Sequence, residues 1–166
     1  VPHASVPVAR RAVLGAGLAL PLAACAPREP ERPAAVRAEV TVLVGAIAAE
    51  QDLVALYEAA RTAGALPAAR LDPVLDHHRA HLAALRKLYV PGSGSRAGEG
   101  GAVPSPSPAT VPSGRSRVLA ELRAAEARAA RDRLAEVARA DPGLAQVLAS
   151  IGACEAGHAA VLGSPA

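Results

Sequence analysis

The chain has no phenylalanine, tryptophan or methionine, and only two tyrosines, two cysteines and a single lysine, Lys87, in 166 residues. A core must therefore be assembled from Ala, Val, Leu and Ile, and each buried residue contributes little transfer free energy. No basic run with interleaved aromatics exists, which removes the usual footprint of a nucleic-acid binder. There is no Cys-x-x-Cys-His for attached haem and no Gly-x-Ser-x-Gly nucleophile turn. The glycine-rich GSGSRAGEGG follows no strand and opens no helix, so a phosphate cradle is not indicated. What is abundant is alanine, 43 residues, with 17 arginines. That bias fits a GC-rich genome, and it favours closely packed helices of modest stability, because alanine is the best helix former.

The segment VARRAVLGAGLALPLAACAP sets Arg10 and Arg11 before an uncharged run from Ala12 to Ala24, followed by Cys25. This is the three-part layout of a secretory signal, and its apolar run is too short to span a bilayer as a helix. The paired arginines resemble a twin-arginine signal, with Ala9 where Ser or Thr is usual. Leu22-Ala23-Ala24-Cys25 resembles a bacterial lipobox. That resemblance implies removal of residues 1–24, lipidation of Cys25 and an anchor on the extracytoplasmic face of the cell membrane. The other reading is an ordinary cleaved signal with an incidental cysteine.

From Cys25 onward 142 residues remain, which suits one domain. Without Arg10 and Arg11 the charge is 16 basic against 15 acidic, a net +1, and so balanced a chain indicates neither nucleic acid nor an anionic membrane surface as partner. With Cys25 lipidated, Cys154 has no disulfide partner and reads as a small buried apolar residue.

Residues 25–33 form a proline-rich, charged tether, and 34–166 carry four amphipathic helical patterns without strand-like alternation. The first helix is expected from about Ala34 to Ala63, stopped by Gly64 and Pro67, with Val36, Val40, Leu43, Ile47, Glu50, Val54 and Tyr57 on one face. The second runs from about Ala69 to Val90, with Leu71, Leu75, His78, Leu82, Leu85 and Tyr89 on its stripe and His81 flanking it. Residues 91–114 follow, with 16 of 24 positions Pro, Gly or Ser, the composition of a long mobile connection. The third helix, from about Arg115 to Ala140, faces inward with Leu119, Leu122, Glu126, Ala130 and Val137. Asp141-Pro142 opens the fourth as a cap followed by proline, and its stripe is Leu144, Leu148, Ile151, Glu155, His158 and Leu162. Short, long and short links between four helices predict an all-α up-down bundle with one long crossover between the second and third helices.

Each stripe carries a polar residue at its middle: Glu50, His78 with His81, Glu126, and Glu155 with His158. Buried unpaired, such groups are costly, so they must bind one another or an ion. A spacing of three brings Glu155 and His158 to one helix face. Glu121 lies a small rotation from Glu126. Tyr57 admits two readings, a hydrogen bond to a ligand carboxylate or a packed ring with its hydroxyl at the bundle end. Asp76 and His77 read as solvated face residues.

This pattern resembles the ferritin-like di-iron carboxylate superfamily, whose first and third helices each give one Glu and whose second and fourth give Glu-x-x-His. Glu50, Glu126 and Glu155-x-x-His158 match it, whereas His78-Arg79-Ala80-His81 has histidine in place of the bridging glutamate. HHRAHLAAL and CEAGHAAVL also resemble small ferritin-like domains of unknown function on actinobacterial lipoproteins, across nearly the whole mature chain. Because the departure removes a bridging carboxylate, a mononuclear site for iron, zinc or copper is expected rather than a di-iron centre. Two functions stay open: a membrane-anchored metal-binding lipoprotein, or a helical lipoprotein, a homodimer among its conceivable states, that serves as a structural or protein-interaction module with a metal-free polar core. No residue reads as catalytic.

Overall fold

Glycine and proline set the helix ends. In a computed structural model that describes residues 38–89, 103 and 105–163, four helices and no strand occur among the described residues. Arg10, Arg11, Cys25, the tether and residues 90–102 lie outside them. Helix α1 spans Ala38–Thr62 and stops just before Gly64, whose φ of 64° is the left-handed conformation that glycine adopts without a side-chain penalty. Pro67 immediately precedes α2, Ala68–Leu88, and Gly114, at φ 94°, precedes α3, Arg115–Val137. Helix α4, Pro142–Gly163, opens on its proline, with Asp141 Oδ1 accepting the Leu144 N–H at 2.8 Å as the cap the sequence predicts. The observed ends fall within three residues of the expected ones, apart from the start of the first helix, where residues 34–37 are not described.

Packing pairs α1 with α2 and α3 with α4 most extensively, with smaller seams between α1 and α3 and between α2 and α4. Two apolar layers fill the interior. Val42, Leu43, Ala46 and Ile47 meet Leu85, Leu144, Leu148 and Ile151 in one, with Val137 and Ala140 against it. Tyr57, Ala60 and Leu66 meet Leu71, Leu75, Val118, Leu122 and Leu162 in the other. Along every helix the buried polar residues fall between members of these two layers. The described part of the α2–α3 connection is anchored at three places, with Val103 against the first layer, the Ser107 N–H donating to Asp52 Oδ1 at 2.8 Å, and Val111 against the second layer.

Helix α3 is rotated from the expected stripe. Val118, Ala125, Ala129 and Arg133 are buried, while Leu119, Ala130 and Val137 are only half-buried. An arginine-rich helix offers no continuous apolar face, so its small alanines turn inward and let the neighbouring helices approach. By length and composition alone α4 and the Glu39–Thr62 stretch of α1 are long and apolar enough to cross a membrane. In the bundle their apolar residues supply much of the core.

Helix α4 passes close to α3 at Gly152. A Cβ placed there would meet the Arg133 Cβ at 2.9 Å and the Ala130 carbonyl oxygen at 3.4 Å. Gly157, on the same helix, meets nothing within 4 Å. Replacing glycine by alanine inside a helix gains about 1 kcal/mol of propensity, whereas overpacking costs about 1–3 kcal/mol. Gly157→Ala should therefore raise stability by roughly 1 kcal/mol and Gly152→Ala should lower it by about the same amount, as read by denaturant unfolding.

Candidate metal centre

The layer between the apolar clusters contains Glu50 from α1, His78 from α2, Glu126 and Arg133 from α3, and Glu155 and His158 from α4, all buried. His81 stands half-buried at its edge. Five of the six expected ligands, Glu50, His78, His81, Glu126 and His158, share ligand groups with one another, whereas Glu155 is buried in the same layer but enters none of those groups. Glu126, rather than the exposed Glu121, enters this layer from α3.

His78 is the hub. Its Nδ1 lies 3.0 Å from Glu50 Oε2 and its Nε2 lies 2.8 Å from Glu126 Oε1. A carboxylate only accepts, so two such bonds require an N–H on both ring nitrogens and hence an imidazolium. Burial opposes that charge, but the hydrogen bonds and negative charges of Glu126 and Glu50 outweigh it and push His78 up to about 9. The Tyr57 hydroxyl donates to Glu126 Oε1 at 2.5 Å, which selects the first of its two readings. His158 Nδ1 approaches Glu126 Oε2 at 3.4 Å. Burial alone would raise Glu126, yet bonds with His158, His78 and Tyr57, together with the His78 charge, hold it down at about 2. Glu50 is lowered for the same kind of reason, by His78 and His81 acting against burial. In Tyr57, burial and then the Glu126 charge raise the phenol, keeping it protonated as a donor.

Glu155 is different. Neither of its oxygens has a hydrogen-bond donor. Burial, then the charge of Glu50, push its carboxyl up to about 8, against an opposing pull from the buried Arg133. Glu50 Oε1 and His81 Nδ1 also lack hydrogen-bond partners, and they face each other at 3.5 Å. With Arg133 Nε and Nη1, six buried polar atoms of this layer are therefore without a hydrogen-bond partner.

Two residues stand at the rim, His77 exposed as expected and Cys154 less buried than expected. His77 is exposed, yet its Nδ1 lies 2.9 Å from His158 Nε2. Cys154 is half-buried, with Sγ 3.4 Å from the same nitrogen. It is a neighbour of the polar layer rather than an apolar filler, and its place one turn before His158 is the spacing that signals it. Burial and the charges of Glu126, Glu155 and Glu50 push its thiol up, so it is no spontaneous thiolate. Asp76 keeps to the surface, paired with Arg79 at 3.3 Å. Arg133 has no counterpart in the sequence reading. Its buried guanidinium reaches Glu136 at 3.1 Å, and on an arginine-rich helix nothing in the pattern singles it out.

Three groups bring their donor atoms within 4.8 Å of one another: Glu50, His78 and His81; His78, Glu126 and His158; and His77, Cys154 and His158. No family model, curated protein or solved structure matches this chain.

The pH dependence follows from the surroundings of His78 (Glu50, Glu126, Tyr57, His81, His158) and of Glu155 (Glu50, Glu126, Arg133, Cys154). Both groups hold a proton more tightly folded than unfolded, so folding stability falls as pH rises through the interval between the two values. For Glu155 that interval is from 4.5 to about 8, and for His78 from 6.5 to about 9. Glu126 acts oppositely, and its contribution is lost as pH falls from 4.5 towards about 2. Metal-free protein should thus show its highest melting temperature near pH 5 and a progressive decline towards pH 9, measurable by circular dichroism in the presence of a chelator.

Proposed function

We propose that this chain is a lipid-anchored, ferritin-like four-helix protein that holds one transition-metal ion among Glu50, His78, His81, Glu126, Glu155 and His158. The observation that carries the reading is Glu155, a carboxyl buried with no donor beside a second acid, Glu50. Left as they are, such groups cost free energy, and a cation removes the cost at both carboxylates at once. His81 Nδ1, without a hydrogen-bond partner, offers an imidazole donor beside Glu50 and His78. Carboxylate and imidazole donors together suit iron, zinc or copper.

A single ion fits better than two. The two buried ligand groups share His78, and a neutral imidazole holding one N–H has only one lone pair to give. Whichever nitrogen binds, His78 surrenders a proton and one of its carboxylate bonds. Glu126 keeps its donor from Tyr57, and Arg133 remains as a fixed positive charge near Glu155. A bound ion would bring Lewis acidity or redox capacity to this layer.

The ferritin-like connectivity is supported by the two apolar layers. The C-terminal part of α2 lies in the layer with the start of α4, and the N-terminal part of α3 lies in the layer with the end of α1. Val103, Ser107 and Val111 fall in order from one layer to the other, as a crossover along the bundle requires. Export and anchoring rest on Arg10, Arg11 and Cys25. Their test is partition of the expressed protein into detergent, lost in Cys25→Ala.

The second reading, a metal-free bundle used as a structural or interaction module, draws on the Glu50–His78–Glu126–Tyr57 chain, which is already closed by hydrogen bonds. Elemental analysis separates the two. Protein offered iron(II), zinc and copper separately and then dialysed should keep about one ion per chain. Glu155→Gln and His81→Ala should each weaken retention about tenfold or more. Without metal, Glu155→Gln should flatten the fall in melting temperature between about pH 5 and 9, because its amide still offers Glu50 a donor at pH values where the parent carboxyl has lost its proton. If no ion is kept and His81→Ala alters only the melting temperature, the polar layer is structural.

A further inference from the structure

The third ligand group lies outside that buried set except for one shared residue. His77 from α2 and Cys154 and His158 from α4 bring Nδ1, Sγ and Nε2 together, with separations of 2.9 Å between the nitrogens, 3.4 Å from Sγ to His158 and 3.9 Å from Sγ to His77. A tetrahedral zinc with nitrogens at about 2.0–2.1 Å and sulfur at about 2.3 Å has edges of about 3.3 Å between nitrogens and 3.5 Å from nitrogen to sulfur. The three separations therefore lie within about 0.4 Å of the edges of such a face. The two imidazole planes lie within 7° of each other with centroids 5.2 Å apart, and nitrogens this close mean that the rings meet edge to edge. One N–H occupies the line between the two nitrogens; an ion bonded to both replaces it and lies about 1.2 Å off that line, so the rings must turn slightly to meet it.

The local sequence explains how the triangle arises. Successive helical residues are turned by about 100°, so each member of His77-His78 and of Cys154-Glu155 faces differently. On both helices the second of the pair enters the core and the first stays at the rim. Exposure falls from His77, exposed, through Cys154, half-buried, to His158, buried. His158 belongs to both places, with Nε2 at the rim and Nδ1 towards Glu126 in the core.

We propose that His77, Cys154 and His158 form a second metal site, one that takes a soft or borderline cation such as Zn2+ or Cu+ from solvent at the mouth of the bundle. Thiolate with two imidazoles is a donor set suited to those ions and not to Mg2+ or Ca2+. Binding releases the thiol proton to water as the sulfur–metal bond forms. With an ion on Nε2, the Nδ1–H of His158 donates to Glu126, the arrangement by which a carboxylate steadies a metal-bound histidine. A neutral His158 has one lone pair, so it serves the rim or the core and never both at once. That exclusivity makes the rim a loading site whose ion is handed inward, a role that rests on the buried centre, whereas binding at the rim does not.

The test uses the full chain in detergent, reduced and metal-free, with Cys25→Ser so that Cys154 is the only thiol. Co2+ titration reads thiolate ligation directly through sulfur-to-cobalt charge-transfer absorption. The expected result is a band that saturates at about one equivalent and is abolished by added Zn2+. Cys154→Ser should remove the band, and His77→Ala, an exposed position that leaves the fold intact, should weaken Co2+ binding about tenfold or more. Glu155→Gln should leave the band in place. No band in the parent, or full affinity in His77→Ala, would overturn the rim site. Loss of the band in Glu155→Gln would show that no separate rim site exists. The buried centre is read independently, as metal retained by the Cys154→Ser protein.

Discussion

A charged imidazole between two carboxylates in the middle of an alanine-rich interior is the constraint from which the rest of the structure follows. His78 can be satisfied only if Glu50 stands on one side and Glu126 on the other, at 3.0 and 2.8 Å. That fixes the rotation of α1, α2 and α3 about their axes and their register along the bundle. Small apolar side chains could slide past one another at little cost, whereas removing one member of a buried ionic chain costs about 3–5 kcal/mol. In a core without phenylalanine, tryptophan or methionine, this polar layer supplies the specificity that large interlocking side chains supply elsewhere.

The layer is also unbalanced. Glu126 is fully provided for, with Tyr57, His78 and His158 all directed at it. Glu155 has only the charge of Arg133 to set against burial and two neighbouring acids, and the half of Glu50 nearest His81 has only a 3.5 Å approach to that ring. A network built only to fix register would gain by placing a donor on Glu155. The asymmetry leaves the unmet acceptors on Glu155 and Glu50, while Glu126 is closed by its own hydrogen bonds.

The helices and the six inward-facing polar residues were legible in the sequence, because Glu50, His78, Glu126, Glu155 and His158 fall on stripes whose other members are apolar, with His81 one turn from His78. Gly64 and Asp141 marked helix ends through conformations that their residue types favour. The rotation of α3 was not legible, since Leu119 and Val137 look more apolar than the alanines that are in fact buried, and only close packing against α4 at Gly152 decides between them. Arg133 was invisible for a related reason: one guanidinium among many carries no signal until its neighbours are known. His77 is exposed as its sequence position suggests, and what could not be read was the approach of His77 and Cys154 to His158 across the α2–α4 seam, because each was weighed alone.

Glycine at 152 has a further consequence for how this family of shapes can vary. By letting α4 ride close over the Arg133 stem, it sets how far Glu155, one turn later, reaches into the interior. A larger residue there would act as a spacer, backing the acid away from Glu50 without touching either one. The distance between two carboxylates, and with it the appetite of the core for positive charge, is thus adjustable from a position that bears no charge, no donor and no side chain at all.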